Sequence, residues 1–166
     1  MHKYIIIFLF TFVLNANEPI LAKMVNVDSN EVQKLSIGNY TFYCRPYGVL
    51  SLAKLHSTPS LNQECKKKIQ TYYKKNPHDR YYAQSLFKRG QWYHVEFKQK
   101  SCVIYAKGQY TYSELLLKKG LAARKPNFTD PEFKASFYKA QKIGRSEKKG
   151  IWKDAIVENC VSEIYN

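Results

Sequence analysis

Apolar residues cluster into short segments with the composition of strands in several parts of the chain. Segments 40–44 and 48–55 are rich in aromatic, β-branched and apolar residues, and Arg45–Gly48 between them is typical of a turn, so a β-hairpin is expected here. Trp92–Phe97 and Ser101–Ala106 predict a second hairpin, joined by a short polar link of Lys98, Gln99 and Lys100.

Helical spacing marks the segment between these two hairpins. Ser60 has the capping-box position, and apolar residues then recur at helical intervals, at Cys65, Ile69, Tyr72 and Tyr73. The Asn76–Asp79 segment ends this basic helix, and Asp79 is expected to cap a second, shorter helix that Gly90 closes.

Two further helices are predicted in the last third of the chain. Ser113 is expected to cap a helix that ends at Gly120. Thr129 or Asp130 is expected to start the last helix, with Pro131 at its first position and a stop at Gly150. Short strands interrupted by helices and followed by two helices predict an α+β fold, mainly a small β-barrel with helices packed against it.

The first residues have the pattern of a signal peptide. Met1–Lys3 is positively charged, and Tyr4–Leu14 is an apolar run too short to span a bilayer. Small-residue cleavage points follow at Ala16 and Ala22, so residues 1–22 are expected to be removed and 23–166 to form one domain. We therefore expect a secreted or periplasmic protein; an uncleaved anchor is the alternative.

An even number of cysteines agrees with export. Two structural disulfides are expected, with all three pairings open, and free thiols are the alternative; the four cysteines are Cys44, Cys65, Cys102 and Cys160. Their spacing, and that of the histidines, does not match a zinc site, so no metal is expected. Because the tail 153–166 carries Cys160, we expect it to be tied to the domain.

The charge of the chain indicates an anionic partner. Lys and Arg number 27 against 13 Asp and Glu, which gives a net charge of +14, although basicity for solubility alone is the alternative. Lysines lie beside tyrosines, as in Tyr72–Lys75, which suits base stacking next to phosphate contacts. The candidate polyanion-binding residues are Lys54, Lys66, Lys67, Lys68, Lys74, Lys75, Lys98 and Lys100.

Two segments near the C-terminal end carry a family resemblance. Leu116–Ala122 and Lys149–Trp152 resemble the C-terminal half of the staphylococcal nuclease (thermonuclease-like) family. Upstream, Ile37–Tyr40 lies where that family has Asp-Gly-Asp-Thr, and Leu52–Ser60 lies where it has Arg-Leu-x-x-x-Asp-Thr-Pro-Glu. The resemblance extends over roughly Val32 to Lys153. It implies an OB-fold barrel of that type with an inserted basic helix and two C-terminal helices, and a Ca²⁺-dependent phosphodiesterase.

The residues at the family's catalytic positions depart from this chemistry. Asn39, Ser57 and Ser60 replace two aspartates and a glutamate, and Leu52 replaces the first arginine, while Thr58 and Pro59 are retained. The loop that carries the second arginine in the family is reduced to Lys98, Gln99 and Lys100. Ca²⁺ affinity rises with the number of charged oxygen ligands, and a phosphate clamp needs a guanidinium. We therefore expect no Ca²⁺ cofactor and loss of catalysis.

Three functional hypotheses follow from these patterns. The first is an exported, non-catalytic thermonuclease-like domain that binds nucleic acid or another polyanion. The second is an active nuclease with a site rebuilt from Lys54, Lys98, Lys100 or Glu64. The third is an envelope module whose ligand is a protein or a glycan.

Overall fold

The computed structural model describes residues 18–153 and Cys160. Within this part the chain has an α+β fold, as predicted. Its strands are β1 (Ile20–Val27), β2 (Gln33–Ile37), β3 (Tyr40–Cys44), β4 (Val49–Ser51), β5 (Trp92–Lys98), β6 (Ser101–Lys107), β7 (Tyr110–Thr111) and β8 (Ala122–Arg124). Its helices are α1 (Leu52–Ser57), α2 (Gln63–Lys75), α3 (Pro77–Arg80), α4 (Tyr82–Leu86), α5 (Tyr112–Lys119) and α6 (Lys134–Ser146), followed by a 3₁₀ turn at Gly150–Trp152.

An antiparallel sheet in the order β3-β2-β1-β5-β6-β7 forms the centre of the fold, and β4 pairs with β8 beside it. The segment that follows β3, one end strand of the large sheet, approaches β6 near the other end. The Tyr47 N–H donates to the Cys102 carbonyl at 3.2 Å, and the Cys102 N–H donates to the Arg45 carbonyl at 3.0 Å. A disulfide joins Cys44 at the end of β3 to Cys102 on β6. The sheet is therefore strongly curved.

One face of this sheet supplies the core. Met24, Leu35 and Phe42 lie side by side across β1, β2 and β3, and Val95 lies opposite Ile104 on β5 and β6. Side chains from α5 and α6, among them Leu116, Leu117 and Phe137, are fully buried in the same core. Because opposed residues on antiparallel strands share a face, the residues between these core positions point to the other side.

The predicted hairpin of 40–44 and 48–55 is wrong. Strand β3 pairs with β2, whereas residues 49–51 form β4 and pair with β8. Residues 52–57 then form α1, because the Ser51 side chain accepts the Lys54 N–H at 3.0 Å and caps the helix. The second predicted hairpin is confirmed, since β5 pairs directly with β6.

Most predicted helices exist, but several begin or end elsewhere. The single helix expected between Asp79 and Gly90 is wrong, because this segment forms α3 and α4, and α6 ends at Ser146, before Gly150. Asn62 caps α2 in place of Ser60, and Thr111 caps α5 with a full capping box in place of Ser113. Asp79 caps no helix and accepts a hydrogen bond from the Tyr72 hydroxyl. Helix α6 begins at Lys134, after a turn that contains Pro131.

The N-terminal boundary differs from the expectation in part. Strand β1 begins at Ile20, before the expected domain start at 23, and Ala22 is fully buried opposite Tyr93. Residues 1–17 lie outside the described part, so the signal peptide stays a prediction. Among the described residues, no helix has the length and apolar character needed to span a bilayer.

Both expected disulfides are present. They pair Cys44 with Cys102 and Cys65 with Cys160, which leaves no free cysteine. Cys160 is fully buried and joins the C-terminal region to α2. The predicted anchoring of the tail is described only at this residue, because 154–159 and 161–166 lie outside the described part.

Candidate nucleic-acid interface

Of the residues that the resemblance would place at catalytic positions, Leu52, Ser57 and Thr58 serve local structure. Leu52 is fully buried, and its N–H donates to the Leu121 carbonyl at 2.9 Å, so it belongs to the core. The Ser57 and Thr58 hydroxyls both donate to the Lys54 carbonyl, at 3.0 and 2.9 Å, and complete the end of α1. Asn39 is exposed in the turn between β2 and β3, and Ser60 is exposed after α1. Within residues 18–153 and Cys160, no group of three or more His, Cys, Asp or Glu side chains is placed to hold a metal ion.

One carboxylate does lie among cations. Glu31 accepts a hydrogen bond from the Ser51 hydroxyl at 2.5 Å, and the Arg45 Nε lies 3.9 Å from its other oxygen. Burial raises the pKa of the Glu31 carboxyl above its ordinary value, against the opposing effects of the Ser51 hydrogen bond and the charges of Lys54, Arg45 and Lys125. A single, largely buried carboxylate that already has partners lacks the second acidic group that a divalent cation site requires.

Lys98, a candidate binding residue, is used inside the protein. Its ammonium lies 3.4 Å from Glu96 and 3.1 Å from Glu132, and its side chain is only 12% exposed. Burial lowers the pKa of Lys98, but the Glu132 and Glu96 carboxylates more than offset this, so its pKa lies above the ordinary value. This charge is neutralised and is a weak candidate for phosphate binding.

The lysines of α2 divide into two groups. Lys66 donates to the Pro59 carbonyl at 3.2 Å, and Lys68 forms an ion pair with Glu64 at 2.8 Å. The other lysines of this helix are exposed: Lys67, Lys74 and Lys75. Lys54 and Lys100 are exposed as well, on α1 and in the β5–β6 turn. Glu64, a residue of the rebuilt-site hypothesis, is exposed on α2 and pairs with Lys68 of the same helix.

The outer face of the sheet combines cations with aromatic rings in two rows. In the first row Tyr43, Lys34 and Asn26 lie side by side across β3, β2 and β1. In the second row the strand register brings together four residues: Thr41, Ser36, Lys23 and Trp92. We call these seven residues the outer sheet face.

Both aromatic rings of the outer sheet face are open to solvent. Tyr43 is 58% exposed and Trp92 is 57% exposed. The Lys34 ammonium lies 5.7 Å from the centre of the Tyr43 ring, and Lys23 is the direct neighbour of Trp92 across the β1–β5 pair. Each of these two exposed aromatic side chains lies beside a lysine. The outer sheet face therefore has two places where a flat aromatic ring lies next to a positive charge.

Sequence reasoning found the lysine run of α2 and missed the outer sheet face. Lys23 falls within the expected signal-peptide boundary region, and Lys34, Tyr43 and Trp92 are far apart along the chain. The signal that was present is the alternation of exposed and buried residues in β1, β2 and β3, but only the strand register aligns them. No protein-family model matches the chain, and a comparison with curated proteins gives no match.

Proposed function

We propose that the chain is an exported domain that binds single-stranded nucleic acid on its outer sheet face and has lost the catalysis of the family it resembles. The observation that carries this proposal is the pairing of Tyr43 with Lys34 and of Trp92 with Lys23 on neighbouring strands. Base stacking on aromatic side chains, with cations along the backbone, is the general mode of binding to single strands. Exposed rings favour single strands over duplexes, whose bases are already stacked on each other.

We also propose that the large sheet is a partly open barrel of the OB type. Supporting this are the first five strands of the sheet order β3-β2-β1-β5-β6-β7 and the disulfide that links β3 to β6 through Cys44 and Cys102. OB barrels bind oligonucleotides on the face of their second and third strands. Tyr43 and Lys34 lie on β3 and β2, in the outer sheet face.

Loss of catalysis is supported by the burial of Leu52 and by the local hydrogen bonds of Ser57 and Thr58. Neither the carboxylates for Ca²⁺ nor an arginine for the phosphorane is supplied by these positions. An intact oligonucleotide after prolonged incubation with Ca²⁺ is therefore the expected result, and steady release of acid-soluble nucleotides would support the active-nuclease hypothesis in its place.

Export is part of the proposal, and the two disulfides favour an oxidising compartment outside the cytoplasm. Of the two cleavage points, Ala16 is favoured, because cleavage after Ala22 would remove Ile20–Ala22 from β1. The N-terminal sequence of the exported protein decides between the two.

The double variant Tyr43→Ala/Trp92→Ala tests the stacking surface. Since each stacked base contributes about 1–3 kcal/mol when measured by alanine substitution, we expect affinity for a fluorescent oligo-dT to fall by roughly 100-fold. Tyr81→Ala is the matched control, because Tyr81 is also an exposed tyrosine, 52% accessible, but lies between α3 and α4. Equal affinities of the double variant and the control would reject the outer sheet face as the binding surface.

The salt dependence of binding separates the outer sheet face from α2. Each phosphate contact on a single strand adds about 0.7 to the slope of log K against log salt, so Lys23→Gln/Lys34→Gln should lower the slope by about 1.4. The control Lys67→Gln/Lys75→Gln removes two exposed charges of α2. A larger change in the control would move the interface to α2. Absence of oligonucleotide binding by the unmodified protein at low salt would reject the proposal and leave the protein- or glycan-binding hypothesis.

A further inference from the structure

A cleft lies beside helix α6, away from the outer sheet face. It has a volume of about 460 Å³ and is lined by Arg124, Pro131, Lys134, Ala135 and Tyr138. Lys134 and Tyr138 are one helical turn apart on α6, and Arg124 is the last residue of β8. The volume falls in the range that accommodates a small organic ligand.

Arg124 lines the cleft with a guanidinium group that has few hydrogen-bond partners. Its backbone N–H donates to the Gln141 side-chain oxygen at 2.8 Å, and its Nη1 reaches the Phe128 carbonyl at 3.4 Å. Its Nε–H is buried and has no hydrogen-bond acceptor in the described part of the chain. Because this Nε–H is enclosed, an anion in the cleft contacts the outer guanidinium nitrogens, whose charge is not paired with a carboxylate of the described residues.

The other residues that line the cleft indicate the chemistry of the rest of the ligand. Lys134 is exposed and forms no ion pair with any described carboxylate, so two cations line one cleft. The Tyr138 ring is 59% exposed, and Pro131 and Ala135 add apolar surface. A ligand that satisfies all of these groups carries an anion joined to a flat, largely apolar ring.

We infer that this α6 cleft binds a nucleotide, with its phosphate held by Arg124 and Lys134 and its base stacked on Tyr138. A guanidinium matches the geometry of phosphate oxygens, and an ammonium adds a second positive charge on the same group. The inference does not depend on the outer sheet face, because that face is built by β1, β2, β3 and β5. The ligand is either a free mononucleotide or the phosphorylated end of a strand, which present the same chemistry.

Titration of the complete, oxidised protein with AMP tests the α6 cleft, with chemical shifts of the backbone amides as the readout. Adenosine and inorganic phosphate serve as half-ligands, and AMP is expected to bind at least tenfold more tightly than either. Lys134→Gln and Tyr138→Ala should each weaken AMP binding at least fivefold. Lys139→Gln is the matched control, because Lys139 is an exposed lysine of α6 that does not line the cleft.

Two results would overturn the inference: AMP binding no tighter than adenosine binding, or equal effects of Lys134→Gln and Lys139→Gln. The source of the nucleotide is assigned by competition with oligo-dA. Two oligo-dA strands are compared, one with a 5′-phosphate and one without. Displacement of AMP only by the strand with the 5′-phosphate indicates a strand end, and displacement by neither strand indicates a free mononucleotide. Tyr43→Ala/Trp92→Ala should leave AMP binding unchanged, so failure of the outer sheet face and failure of the α6 cleft are measured separately.

Discussion

Removal of the disulfide between β3 and β6 is expected to lower the free energy of unfolding by about 4 kcal/mol. The bridge joins Cys44 and Cys102 across 58 residues, and in the chain-entropy model a loop of this length contributes that amount by restricting the unfolded chain. Both cysteines are buried, at 0% and 2% exposure, so the double variant Cys44→Ala/Cys102→Ala also removes packed atoms from the core. Denaturant unfolding of the oxidised proteins, followed by circular dichroism, measures the difference.

The second disulfide provides the comparison. Cys65 and Cys160 are 95 residues apart, so the chain-entropy model gives the double variant Cys65→Ala/Cys160→Ala a slightly larger loss, about 4.6 kcal/mol. If loss of the Cys44–Cys102 bridge lowers the free energy of unfolding more than loss of the Cys65–Cys160 bridge, the contact between β3 and β6 adds to the entropic contribution. A loss below about 1 kcal/mol for the Cys44–Cys102 bridge would contradict the expectation and show that the backbone hydrogen bonds of Cys102 hold the end of β3 against β6 without it.

Elements with strong local signals could be predicted from the sequence. The β5–β6 hairpin has two segments rich in β-branched and aromatic residues around a three-residue polar link, and α5 ends at Gly120, whose left-handed φ of 66° closes the helix. Residues 48–55 were misassigned because a short apolar run does not distinguish a buried strand from a helix. Here Ser51 decides the outcome, since its hydroxyl caps α1.

Strand β1 could not be predicted from the sequence because of its position in the chain. Its apolar residues follow directly on a leader-like segment, so Ala22 was interpreted as a cleavage point, whereas it is buried opposite Tyr93. One of its two pairing partners, β5, lies about seventy residues further along the chain, and no local pattern indicates it. Long-range pairing of this kind is set by the fit of the whole core and not by propensity.

The candidate binding site was predictable only in its overall chemistry. The net charge of +14 and the interleaved tyrosines indicate an anionic, base-containing ligand, but they do not indicate which lysines are available. The polar link 98–100 predicts an exposed Lys98 that can bind a phosphate. In the structure the Glu132 carboxylate, distant in sequence, lies 3.1 Å from the Lys98 ammonium and neutralises it. Lys23 and Lys34 lie in strands whose register, absent from the sequence pattern, brings them next to Trp92 and Tyr43.

The contact between the end of α5 and the 3₁₀ turn depends on two glycines. A Cβ on Gly120 would lie 2.1 Å from the Lys149 carbonyl oxygen, and a Cβ on Gly150 would lie 2.1 Å from the Gly120 carbonyl oxygen. The Ile151 N–H donates to that same Gly120 carbonyl at 2.9 Å, which ties the two backbones together. Because the obstructing atoms belong to the backbone, no side-chain rotation relieves the contact.

Gly120→Ala is therefore expected to lower the free energy of unfolding by about 3–4 kcal/mol, of which about 1–2 comes from the left-handed backbone and the rest from the forced shift of the 3₁₀ turn. Gly108→Ala is the matched control, because Gly108 has a similar φ of 58° with no atom within 4 Å of an added Cβ. The control should lose only the backbone contribution. Denaturant titration of both variants isolates the cost of the close approach as their difference. Equal losses would mean that the 3₁₀ turn moves away from α5 without cost, and the Gly120–Gly150 contact would then contribute nothing to holding the C-terminal segment on the domain.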